Sequence, residues 1–142
     1  EDSPGPLEIL QARHLIEGET AALAATQAGP DTIAALRAQL AIIADTQAST
    51  EDKEAADQAF HELIARAAGN SALHSSVHWL WELRHTSGVS RGFHERLRKE
   101  GSSPVVRDHQ AIVDAIAAND PQAARAAMQG HLQRVIDLVL DN

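Results

Sequence analysis

The apolar residues of this chain recur at intervals of three and four, so the pattern is that of helices in succession. The first helix is predicted from about Leu7 to Gln27. It carries Ile9, Ala12, Ile16 and Leu23 at helical spacing and stops at AGP. A second begins near Pro30–Asp31 and runs through TIAALRAQLAIIADTQ. AST then offers Ser49 or Thr50 as an N-cap, with Glu51 and Asp52 in the first turn, where a carboxylate suits the helix dipole. The third helix ends at Gly69, and Asn70 caps a fourth, SALHSSVHWLWELRH. Residues 87–103 are Gly- and Ser-punctuated around FHERLRKE, and a short helix is predicted there. Ser103 before Pro104 opens VVRDHQAIVDAIAA, and Asn119 or Asp120 before Pro121 opens QAARAAMQGHLQRVIDLVL. No segment alternates with period two over a useful length. The expectation is an all-α fold, an antiparallel bundle of six or seven helices with short connections.

Composition narrows the class. The 142 residues suffice for one domain with a real core, and 44% of them are hydrophobic. A formal net charge of -8 argues against nucleic-acid binding by this chain alone, which would need a basic face. The absence of cysteine excludes disulfides and thiolate metal sites and suits a reducing cytoplasm. No apolar run approaches the ~18 to 20 residues of a membrane span. The opening EDSPGP, residues 1–6, reads as a linker or an artificial boundary after a missing domain, with one functional domain over residues 7–142.

The chemistry lies in where the histidines fall on their helices. On a wheel of about 100° per residue, Leu63, Ala67, Phe60, Ile64 and Ala68 form one apolar arc. Asp57 falls inside that arc, and His61, one turn on, lies at its edge. His109 sits amid Val105, Ile112, Ile116, Val106 and Val113. His131 sits amid Ala127, Leu138, Ala124, Val135 and Met128. An unpaired buried polar group costs roughly 1–3 kcal/mol, so these four need partners. For any one of them, an ordinary hydrogen-bonded core position is the simpler reading. Four together on three helices point to a shared divalent metal, for which neutral imidazole and carboxylate are suitable ligands. Zinc is the foremost candidate, with nickel, manganese or iron as alternatives, and a five- or six-coordinate ion there leaves room for a bound anion. His74 and His78 share the i,i+4 spacing but fall opposite their apolar face, with His85, so they are read as non-ligands on a solvated or second polar surface. His14, on the polar side of the first helix, and His94, in the Gly- and Ser-punctuated segment, are not strong candidates. Trp79 and Trp81 read as core and rim packing. Arg13 borders the first stripe, either as a surface arginine or as a cation aimed inward to grip a carboxylate.

Several stretches together resemble the FCD domain, the C-terminal effector-binding domain of FadR-type GntR transcriptional regulators. They are LEILQARHLIEGETAALAA, with Arg13 and Glu17 at the family's R…E positions, DQAFHELIARAAGNSAL, and DHQAIVDAIAANDPQAARAAMQGHL; LWELR fits more weakly. The resemblance implies that Asp57, His61, His109 and His131 match the family's metal ligands. It also implies that Arg13 matches an arginine facing the effector's carboxylate. Asp108 stands where the family usually has Glu; it falls off the apolar arc, so little consequence is expected. The implied role is effector sensing, not catalysis, for a small organic acid, in a cytoplasmic regulator that dimerises at full length. That regulator would bind DNA through a winged helix-turn-helix absent from this chain. The rival readings are a metal-dependent enzyme acting on small organic acids and a purely structural metal that staples the bundle.

Overall fold

The computed structural model describes residues 3–86 and 103–141, which form six helices and no strand. These are α1 (Pro6–Gln27), α2 (Pro30–Ala44), α3 (Thr50–Ala67), α4 (Ser71–Thr86), α5 (Ser103–Ala117) and α6 (Pro121–Leu140). The expected short helix around FHERLRKE, and His94 within it, lie outside the described residues.

The boundaries follow local chemistry. Ser49 is the N-cap of α3, its hydroxyl accepting from the Asp52 amide at 3.0 Å. Asn70 accepts from the amides of Ala72 and Leu73 at the start of α4, and Asp120 accepts from that of Ala123 at the start of α6. One boundary differs from expectation: α2 ends at Ala44, not Gln47. There the Asp45 carboxylate accepts from the Gln47 amide at 2.8 Å, a side-chain turn that competes with the next helical hydrogen bond.

α1 packs against α3, α4, α5 and α6, and so occupies the middle of the bundle. Its alanines make this possible: Ala21, Ala24 and Ala25 have no exposed surface. At Gly18 a Cβ would come within 2.9 Å of the Gln129 side chain, so α1 and α6 approach closely there. Leu36, Phe60, Ile64, Ile112, Ile116, Met128 and Leu132 fill the main core with none of their surface exposed. Each contributes about 1.5–3 kcal/mol of burial as an upper estimate. A smaller cluster of Ala65, Val77 and Trp81 sits between α3 and α4, with Ile16 of α1 against it. The stripe expected for α1 is only partly the buried one. Ile9 is buried, but Leu23 is 37% exposed, while Arg13, Glu17 and Thr20 are buried. On a helix surrounded by neighbours, the polar residues that find partners go inside.

Candidate metal centre

His61 of α3, His109 of α5 and His131 of α6 are all buried, and one ring nitrogen of each lies within 4.8 Å of the other two. The ring centroids are 5.5 Å apart for His61 and His109, 5.8 Å for His61 and His131, and 4.7 Å for His109 and His131. Phe60 stands edge-on to His109 at 4.7 Å and to His61 at 5.6 Å, an apolar wall that limits ring rotation.

Every Nδ1 in the group meets an oxygen acceptor. Nδ1 of His61 is 2.5 Å from Glu17 Oε1, that of His109 is 2.8 Å from the Val105 carbonyl, and that of His131 is 3.0 Å from Asp108 Oδ2. A carbonyl has no proton to donate, and both carboxyls are held ionised. At Glu17, burial opposes the charge, but Arg13 and then His61 outweigh it and bring the carboxyl down to about 2. At Asp108, burial is likewise outweighed, by His131 and Arg134. Each Nδ1 therefore carries a hydrogen, and Nε2 is the atom left to face inward, as a lone pair when the ring is neutral or as a second N–H when it is charged.

Asp57 meets those inner nitrogens. Its Oδ1 is 2.9 Å from His109 Nε2 and 3.3 Å from His61 Nε2. Burial would favour the neutral acid, but His109 and His61 hold this carboxyl well below its ordinary value. His61 Nε2 is buried and has no hydrogen-bond partner. A carboxylate oxygen and imidazole nitrogens this close hold a cation between them, a proton in the metal-free domain or a metal ion that displaces it. One oxygen and three imidazoles are a donor set that fits a divalent transition metal, with Asp57, His61, His109 and His131 as the residues able to hold it.

Around this group runs a layer of buried charge. Arg13, 3% exposed, places Nε 2.5 Å from Glu17 Oε2. Arg13 and Arg84 each hold their guanidinium carbon 4.3 Å from the centre of the Trp81 ring, within cation–π range. Arg84 Nη1 lies 3.7 Å from Asp57 Oδ2. Burial brings Arg84 down to about 10, with the Asp57 charge opposing and that of Arg13 adding.

The FCD domain pattern matches residues 8–134. The chain belongs to the FCD domain family. Among relatives of this FCD domain is the Uxu operon regulator of Haemophilus influenzae, 33% identical over 132 residues that cover 92% of this chain and 50% of the relative. The Exu regulon transcriptional regulator of Escherichia coli is 36% identical over 129 residues, 91% of this chain and 49% of that one. A protein named putative L-lactate dehydrogenase operon regulatory protein, also from Escherichia coli, is 33% identical over 139 residues, 95% and 52% respectively. These relatives are named as regulators, not enzymes. The FCD domain spans about half the length of the curated relatives it matches. The solved Streptococcus agalactiae GntR superposes with a TM-score of 0.76 at 24% identity, covering 92% of this chain and 57% of its own, which shows a common fold.

Of the residues singled out in sequence, Asp57, His61, His109 and His131 converge, and Arg13 stands behind His61 with Glu17 between them. Two expectations change. Asp108, expected off the apolar arc, is partly buried and holds both His131 and Arg134, the latter at 2.9 Å. His61, expected at the arc's edge, is 1% exposed, whereas the Asp57 side chain, expected inside the arc, is 22% exposed. α1 and the Trp81 ring, 5.1 Å from His61, cover the edge of α3 that a single-helix wheel leaves open.

Residue reasoning missed Arg84 and gave Glu17 no role of its own. Their signal was a charge on a helix side that neighbouring helices cover, which becomes visible only once the packing is known. His74, His78 and His85 lie on a second polar surface. Glu62 of α3 meets His78 at 3.0 Å and His74 at 3.5 Å, and His85 meets Gln58 at 2.8 Å. Trp81 is fully buried and Trp79 is 56% exposed, as core and rim.

Proposed function

We propose that this chain is the effector-sensing domain of a bacterial transcription regulator. In this reading Asp57, His61, His109 and His131 hold a divalent metal, zinc foremost, and a small organic acid binds against it and Arg13. The observation that carries the reading is the orientation of three histidines. Each has an oxygen acceptor at Nδ1, which leaves Nε2 as the inner atom; those of His109 and His61 lie 2.9 and 3.3 Å from Asp57 Oδ1, and His131 joins the same group.

Charge bookkeeping supports an anionic partner. Arg13 and Arg84 balance Glu17 and Asp57, and Asp108 balances Arg134. With neutral imidazoles, a divalent ion leaves this buried region with positive charge in excess, and a carboxylate relieves that excess. The metal when bound supplies an electrophilic anchor for that anion; the chain's own residues orient the ligating rings and exclude water from them. The anion's grip would bias how α1, α3, α5 and α6 sit on one another. That bias would pass to a DNA-binding domain outside this chain, within a homodimer.

Elemental analysis of the purified domain tests the metal. About one equivalent per chain is expected, lost in His109→Ala and in His131→Ala; unchanged metal content in both variants overturns the reading. Calorimetric titration with small carboxylates, starting from L-lactate because of the name one relative carries, separates a sensor from a staple. A metal-loaded domain that answers to no carboxylate is a stapled bundle.

A further inference from the structure

We propose that Glu17 is the positioning residue that couples the anion-binding arginine to the metal ligand, so that an anion taken up by Arg13 tightens metal binding at His61. The proposal rests on the metal reading above and adds a direction of communication within it.

The geometry is a chain of three side chains with one carboxylate in the middle. Glu17 is 1% exposed, and its two oxygens go to different partners. Oε2 lies 2.5 Å from Arg13 Nε and Oε1 lies 2.5 Å from His61 Nδ1. Thr20 does not compete for it, because its hydroxyl donates to the Glu17 main-chain carbonyl at 3.0 Å. A carboxylate shared by a guanidinium and an imidazole divides its negative charge between them. What it commits to Arg13 is withdrawn from the His61 Nδ1–H bond.

His61 Nε2 is buried, makes no hydrogen bond of normal geometry and lies 3.3 Å from Asp57 Oδ1, so its strength as a donor in the neutral ring is what a metal would feel. A stronger pull on Nδ1–H makes the imidazole a better donor through Nε2. An anion that draws the Arg13 guanidinium away from Glu17 returns that carboxylate's charge to His61. Linkage makes the effect reciprocal: bound metal must raise the affinity of Arg13 for the anion by the same factor. Arg13 itself need never touch the metal.

The test is Zn²⁺ affinity, measured by competition with a chromophoric chelator, in the full chain and in Arg13→Met, Glu17→Gln and the double variant. Glu17→Gln keeps the shape of the side chain and is expected to weaken Zn²⁺ binding about 10- to 100-fold. Arg13→Met is expected to tighten it about five-fold or more with Glu17 present and to leave it unchanged in the Glu17→Gln background. Equal effects of Arg13→Met in both backgrounds would mean that the arginine acts by its direct field, and the coupling through Glu17 is overturned. Titration with acetate as the anion gives a second readout that needs no Arg13 variant. Saturable tightening of Zn²⁺ binding is expected in the unaltered chain, with a smaller factor in Glu17→Gln, where only direct contact of acetate with the metal remains; no tightening in the unaltered chain, or the same factor in Glu17→Gln, overturns the proposal. If Zn²⁺ binds the unaltered chain no better than it binds His131→Ala, the metal reading itself has failed; if that pair differs while the cycle is additive, only the coupling has.

Discussion

His61 and His131 stack with their ring centres 5.8 Å apart, yet their surroundings push them in opposite directions. Burial disfavours charge on both. At His61 the carboxylates of Glu17 and Asp57 outweigh burial and raise its pKa. At His131 burial prevails over the hydrogen bond to Asp108, and the fields of His109 and His61 add to it, bringing the group down to about 4. The signs give a pH profile for the domain stripped of metal by a chelator. An unfolded chain protonates His131 near its ordinary 6.5, so between there and about 4 the unfolded state binds the extra proton and stability falls with falling pH. For His61 the stabilisation is full below 6.5 and is lost as pH rises through its raised value. Thermal melts of the chelated domain should therefore lose on the order of 3 kcal/mol between pH 6.5 and 4 through His131 as an upper bound, and His131→Gln should flatten that loss. An unchanged profile in the variant would mean that His131 is not the buried neutral group described here.

Among the helices, the junction between α3 and α4 turns on a glycine. Gly69 has φ 77°, a left-handed conformation, and a Cβ there would come within 2.5 Å of Gln27 Oε1, whose amide nitrogen donates to the Ala68 carbonyl. Gly69→Ala should destabilise the domain by about 1–2 kcal/mol, and Asn70→Ala, which removes the α4 cap, by about 1 kcal/mol. Gly130→Ala makes the opposite case. Its site in α6 has nothing within 4 Å of a new Cβ, and alanine should gain up to about 1 kcal/mol there. Urea denaturation midpoints read all three. This junction was legible in sequence because GN carries its chemistry locally, as do Ser49, Pro104 and Pro121 at other boundaries. The four converging residues were legible for a related reason, since each breaks an apolar arc on its own helix. Glu17, Arg84 and Asp108 were not. Their partners lie 44, 27 and 23 residues away in sequence (the distances to His61, Asp57 and His131), and no single-helix pattern contains that relation.

For the molecule as a whole, the candidate centre has its donors on three helices, and Asp57 and His109 stand 52 residues apart in the chain. Titration with Zn²⁺ at about 100 times its dissociation constant should stabilise the domain by about 2.7 kcal/mol, with the gain absent in His131→Ala; an equal gain in that variant would place the metal elsewhere. Because α3, α5 and α6 must all be docked before the four donors face one another, the full site exists only in the finished bundle. A cation there meets no comparable site in the partly assembled chain, so its effect falls on escape from the native state and leaves arrival almost untouched. Stopped-flow traces should show unfolding slowed roughly in proportion to the equilibrium gain and refolding nearly unchanged. In time rather than free energy, an ion held there would be a latch: the bundle would close at its own pace and, once loaded, be slow to open.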